Sequence, residues 1–139
     1  MTIDTVRLGK NGKSYEEAFA RFRDEVLDVL DMKRTDETFK REVLGKLVVW
    51  HPTGFFGVRH RTRGAATSRP GAKLNRDHVY TRRFLVDQIL LGANLRDIFE
   101  MAGTLCYVTP KEHERLARFA EKEGWDRYHA ANIHGIEEL

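Results

Sequence analysis

The chain has a single cysteine, Cys106, among its 139 residues and no hydrophobic run near the roughly 20 residues that a membrane-spanning helix needs. One cysteine cannot form an internal disulfide, and without paired cysteines there is no thiolate zinc ribbon. The first residues also lack the apolar stretch of a secretory signal. These absences predict a cytoplasmic protein without a membrane segment, in which Cys106 is a small buried hydrophobe.

The length is that of one domain, and 41% hydrophobic with 32% charged residues is ordinary for a folded protein. We expect a tail over residues 1–13 and a single domain over residues 14–139. Ser14 and Glu17 form a capping box, and apolar residues at helical spacing predict a first helix from about 15 to 31. A second helix is expected through about Lys46.

Two apolar runs after this second helix favour strands. They are Leu47 to Trp50 and Phe55 to Val58, and the sequence His51-Pro52-Thr53-Gly54 lies between them as a turn. This pattern predicts a β-hairpin over residues 47–58.

Acidic residues are missing from residues 59–76, although the formal net charge of the whole chain is only +3. Six cations lie in this segment with glycine, serine and proline between them. Cations of this kind contact phosphates, and guanidinium binds phosphate oxygens in bidentate fashion. The candidates for nucleic-acid contact here and just beyond are Arg61, Arg63, Arg69, Lys73, Arg76 and Arg82; a solvated basic loop without a ligand is the open alternative.

A pattern over residues 75–122 follows this basic segment. Asp77 and His78 come before Val79-Tyr80, which favours a short strand, and Leu105 to Val108 is a second β-favouring run. Thr109, Pro110 and Glu112 then predict a helix from Pro110 to about Lys122, with His113 in its first turn. If the two strands pair, one carboxylate and two imidazoles approach each other.

This arrangement resembles the HNH, or ββα-metal, nucleases, in which an Asp/Glu/His–His pair at the first strand faces a metal-binding histidine on the following helix. The resemblance covers about forty residues. It implies an α+β fold with helices around a short antiparallel β-hairpin that carries the ββα-metal-like motif. It also implies hydrolysis of phosphodiester bonds in DNA, or less readily RNA.

Carried over by position, the resemblance makes His78 the general base and places a divalent metal ion at Asp77 and His113. Members of this family commonly have an Asn or His ligand one helical turn before the last metal-binding histidine. The equivalent position here is Thr109, a poorer ligand, and Glu112 is the candidate that substitutes for it. Asn94 is the only candidate for the asparagine that orients the base. Asn94 is also a good helix cap, and Glu112 also fits the capping box. Carboxylate and imidazole donors leave magnesium, manganese, nickel and zinc open.

Two other functions stay open. The chain is alternatively a catalytically inactive HNH-fold protein that binds nucleic acid or regulates another protein. The other alternative is an interaction or regulatory protein in which the motif is accidental and the first helix or the C-terminal tail docks a partner. The oligomeric state is not indicated by the sequence.

Overall fold

The helices begin where the sequence offers a side chain that caps them. In the computed structural model, described for residues 9–33 and 36–139, the Ser14 hydroxyl accepts the Glu17 N–H and the Asp36 carboxylate accepts the Phe39 N–H. Such caps pair backbone donors that a first turn leaves open. The seven helices of the described residues are α1 (Tyr15–Leu30), α2 (Glu37–Phe56), α3 (Arg63–Ala66), α4 (Arg82–Leu90), α5 (Leu95–Ala102), α6 (Pro110–Ala117) and α7 (Gly124–Ala130).

The predicted first helix is confirmed, and the predicted hairpin over residues 47–58 is wrong. Helix α2 continues through Pro52, which is buried inside it. Proline has no N–H to donate, and the Thr53 hydroxyl donates to the Val49 carbonyl nearby. Leu44, Leu47 and Phe55 of α2 are buried, so tertiary packing overrides the β-propensity of the valines.

The sheet is mixed and has four strands within the described residues. They are β1 (His60–Arg61), β2 (Asn75–His78), β3 (Leu105–Val108) and β4 (Glu137–Glu138), in the order β2-β3-β1-β4. The pairs β2·β3 and β1·β4 are antiparallel, and β1·β3 is parallel. The α+β class and the single small domain are therefore confirmed, whereas the sheet is larger than the predicted hairpin.

Two boundaries differ from the prediction. The predicted strand beginning at His78 and Val79 is wrong in position, because β2 comprises Asn75–His78 and so ends where the prediction starts, while Val79 and Tyr80 form a bend. Helix α6 ends at Ala117, short of the predicted Lys122. Of the predicted tail, residues 1–8 lie outside the described residues, and residues 10–12 form a turn.

Two groups of buried side chains hold the elements together. Helices α1, α2, α4 and α5 pack around Phe22, Leu44 and Phe99, which have no exposed surface. Strand β3 and helices α6 and α7 pack around Cys106, Leu116 and related residues. In the part of the chain that the structure describes, none of the helices has both the length and the apolarity to cross a bilayer.

Candidate active site

Asp77 and His113 come together although 36 positions separate them. Asp77 lies in β2 opposite Cys106 of β3, and β3 leads through Thr109 into α6, which carries His113. The Asp77 Oδ1 atom is 3.9 Å from His113 Nδ1. The predicted approach of Asp77 and His113 is therefore seen in the structure, whereas among the described residues the ring of His78, the second predicted imidazole, makes no hydrogen bond or ion pair with either side chain.

The two side chains differ in access to solvent. The Asp77 side chain is 6% exposed, whereas the His113 side chain is 50% exposed. The pair thus forms a shallow site, with the carboxylate beneath and the imidazole at the surface.

The C-terminal helix α7 holds the other oxygen of the Asp77 carboxylate. Arg127 Nη2 donates to Asp77 Oδ2 at 2.8 Å and also to the carbonyls of His78 and Val79 at 2.6 and 3.2 Å. The Tyr128 hydroxyl donates to the same Oδ2 atom. Because Oδ2 accepts both donors, Oδ1 is the oxygen left facing His113.

Tyr128 is suited to this role because it has no exposed surface. Burial is the main cause that raises its pKa, and the Asp77 carboxylate raises it further. The hydroxyl therefore stays protonated and remains a donor.

His78 is the last residue of β2 and pairs with Leu105. Consecutive strand residues point to opposite faces, so the regular strand places His78 and Asp77 on different faces at the point where the strand ends. The backbone beyond is fixed by the Val79 N–H, which donates to the Thr104 carbonyl, and by the Arg127 bond to the His78 carbonyl.

The pKa of His78 is lowered although the residue keeps contact with solvent. Partial burial of the ring is the main cause, and the charges of Arg82, Arg76 and Arg127 lower the pKa further. The Asp77 charge acts in the opposite direction. The balance favours neutral imidazole, the form that accepts a proton.

Glu112 does not join the pair formed by Asp77 and His113. Its Oε1 atom accepts the Thr109 N–H at 2.9 Å and the Thr62 hydroxyl at 2.7 Å, so the carboxylate completes the capping box and ties α6 to the start of α3. Within the described residues, no three His, Cys, Asp or Glu side chains are grouped as a metal site. The geometry assigns Glu112 a structural role in place of the predicted ligand role.

Asn94 likewise serves as a cap. Its side-chain oxygen accepts the Arg96 and Asp97 N–H groups at 2.9 and 3.3 Å at the start of α5. Helix capping alone accounts for an asparagine at this position. The structure therefore offers no support for Asn94 as the group that orients the base.

The predicted phosphate-binding cations occupy several elements. Arg61 pairs with Glu137 across β1 and β4 at 3.0 Å, which neutralises it. Arg76 lies exposed on β2, and Arg82 lies exposed at the start of α4, four positions after His78. The remaining three are exposed on α3 or in the loop between α3 and β2, namely Arg63, Arg69 and Lys73.

The sequence alone does not indicate that Arg127 and Tyr128 contact Asp77. The one available signal was a cation beside the apolar residues of the tail, between Trp125 and Ala131. A cavity of about 780 Å³ lined by Phe55, Arg59 and Tyr107, among others, contains none of the predicted site residues.

Known proteins supply no further guide to this site. Comparison of the chain with protein-family models, with curated proteins and with solved structures found no match.

Proposed function

We propose that the chain is a metal-dependent endonuclease of the HNH type that hydrolyses phosphodiester bonds of DNA. The observation that carries this proposal is the 3.9 Å approach of Asp77 Oδ1 and His113 Nδ1 at the end of a strand–strand–helix unit. His78 follows Asp77 in β2 and lies on the other face of the strand, so its role in the proposal comes from the resemblance to the HNH motif. A cytoplasmic location belongs to the same proposal.

The two donors suit a divalent cation. Ligand distances near 2 Å allow one ion to touch two atoms 3.9 Å apart, and carboxylate oxygen with imidazole nitrogen is a common ligand pair. When bound, a cation supplies charge stabilisation for the phosphate and for the departing oxygen. Asp77 and His113 would hold it, while Arg127 and Tyr128 keep the carboxylate in place through Oδ2.

His78 would act as the general base that takes a proton from water. Attack requires neutral imidazole, and the lowered pKa of His78 keeps the ring neutral near pH 7. Arg76 and Arg82 are exposed and electrostatically coupled to His78, so their guanidinium groups are the candidates that hold the scissile phosphate.

The test is cleavage of plasmid and single-stranded DNA in a series of divalent ions. We expect His78→Ala to lower the cleavage rate by roughly 10² to 10⁴ while DNA binding persists, because a positioned base contributes about that factor. Excess chelator should abolish cleavage by the unaltered protein.

The matched control is His129→Ala, which removes an exposed histidine of α7 and should cleave like the unaltered protein. Undiminished turnover by His78→Ala would show that the activity does not use this site.

A catalytically inactive nucleic-acid-binding protein is the second candidate, and one observation favours it. The Asp77 carboxylate already has a buried guanidinium partner in Arg127 at 2.8 Å. Calorimetric titration with manganese, nickel and zinc separates the two candidates. Binding that disappears in Asp77→Asn and His113→Ala supports the nuclease, and unchanged heats in these variants support the inactive protein.

A further inference from the structure

A groove between α2 and α4 is the second cationic feature near the candidate active site. It has a volume of about 570 Å³, and the charged residues that line it are Arg41, Glu42, Lys46, Arg82 and Arg83. Arg41, Glu42 and Lys46 lie in α2, and Arg82 and Arg83 lie in α4, so all five are outside the basic segment over residues 59–76.

The charges of this groove do not cancel. Arg41 pairs with two acids, Asp87 at 2.7 Å and Glu37 at 3.4 Å, so these three residues together carry one negative charge. Lys46, Arg82 and Arg83 make no ion pair within the described residues, and Glu42 is the one acid that lines the groove there. Four cations thus face three acids when Glu37 and Asp87 are counted, and the three cations without an acidic partner in the described part of the chain are the groups that attract an extended anion.

The groove meets the candidate active site at Arg82, which lines the groove and whose charge acts on His78. Arg82 is the first residue of α4 and lies four positions after His78. Gly45 of α2 makes room for it, because a Cβ atom at Gly45 would lie 2.9 Å from Arg82 Cδ. The Arg82 stem therefore lies against α2, and Lys46 is the next residue of that helix.

We infer that this groove is a binding surface for the phosphate backbone of the nucleic acid, with Lys46 and Arg83 as contacts beyond the candidate active site. The identity of the polyanion rests on the proposed function. The groove extends the contact region from the strand end along α2, on a surface distinct from the loop before β2.

The experiment measures the salt dependence of DNA binding by fluorescence anisotropy. The parent protein carries His78→Ala and is kept in chelator, so that the DNA stays intact. The probes are a short fluorescein-labelled duplex and one of its single strands. The groove variant adds Lys46→Gln and Arg83→Gln to this parent.

A matched control adds Arg118→Gln and Lys122→Gln instead. Both cations are exposed on the segment after α6, and the control removes the same total charge. Circular dichroism melting checks that the groove and control variants fold like the parent, as expected for exposed side chains.

Loss of two phosphate contacts should reduce the slope of log affinity against log salt by about 1.8 for the duplex and about 1.4 for the single strand. When the salt concentration rises fourfold, the parent should lose affinity for the duplex by a factor about ten times larger than the factor for the groove variant. The control should keep the parent slope.

The other outcomes overturn the inference in distinguishable ways. Equal slopes for the parent and the groove variant would show that Lys46 and Arg83 do not contact DNA phosphates, and the proposed nuclease function would be unaffected. An equal decrease of this slope in the groove and control variants would show that it depends on the total charge of the protein and not on the groove. A parent that binds neither probe at low salt would overturn both the groove and the proposed function.

Discussion

Replacing Arg127 with methionine should destabilise the fold far more than loss of an ordinary surface cation. The Arg127 and Asp77 side chains are only 7% and 6% exposed. Without the guanidinium, a buried carboxylate keeps the Tyr128 hydroxyl but loses its countercharge, and the His78 and Val79 carbonyls lose a donor. Removing one partner of a buried ion pair costs about 3 to 5 kcal/mol, and we expect Arg127→Met to lower the free energy of unfolding by that amount.

Urea denaturation followed by circular dichroism measures this loss, and a double-mutant cycle tests its cause. Asp77→Asn should also destabilise the protein, and the double variant should cost less than the sum because no buried charge is then left alone. Arg115→Met on the exposed side of α6 is the control and should change stability by no more than about 0.5 kcal/mol. A loss below about 1 kcal/mol for Arg127→Met, or additivity within about 0.5 kcal/mol, would refute the reasoning.

Two other predictions concern titratable side chains. The pKa of His78 in the folded protein lies below its usual value of 6.5. As the pH falls, the imidazole is therefore protonated in the unfolded chain before it is protonated in the folded one. The free energy of unfolding should consequently decrease below about pH 6.5. His78→Gln should show a shallower decline in urea titrations between about pH 7 and 5, and identical slopes would contradict the shift. Burial raises the pKa of Cys106 to about 12, so the native protein at pH 8 should react slowly with a thiol reagent and quickly in urea. Rapid stoichiometric labelling of the native protein would contradict the packing of β3.

The features that could be predicted from sequence are those set by neighbouring residues. The capping box at Thr109 and Glu112 determines where α6 begins, and the Ser14 cap does the same for α1. Both lie within one helical turn, so no distant contact is needed to recognise them. The approach of Asp77 and His113 was predicted from the pairing of two β-favouring runs, the second of which leads into the helix that carries His113.

The features that could not be predicted depend on distant contacts. Strands β1 and β4 have two residues each, too few for an alternating pattern, and they form only because Leu105–Val108 and the C-terminal segment come alongside. The valines before Pro52 favour a strand locally, but they are part of α2 because this helix packs them against the other helices. Arg127 and Asp77 are 50 positions apart, so nothing near either residue indicated their pairing.

This dependence on α7 has a consequence for biosynthesis and turnover. A ribosome makes Asp77 well before Arg127 and Tyr128, so a growing chain carries Asp77 while the donors that fix its carboxylate are still missing. Cleavage by a protease ahead of α7 would return a finished molecule to that state. We therefore expect residues 124–139 to decide when the Asp77 carboxylate acquires its fixed position and when it loses it.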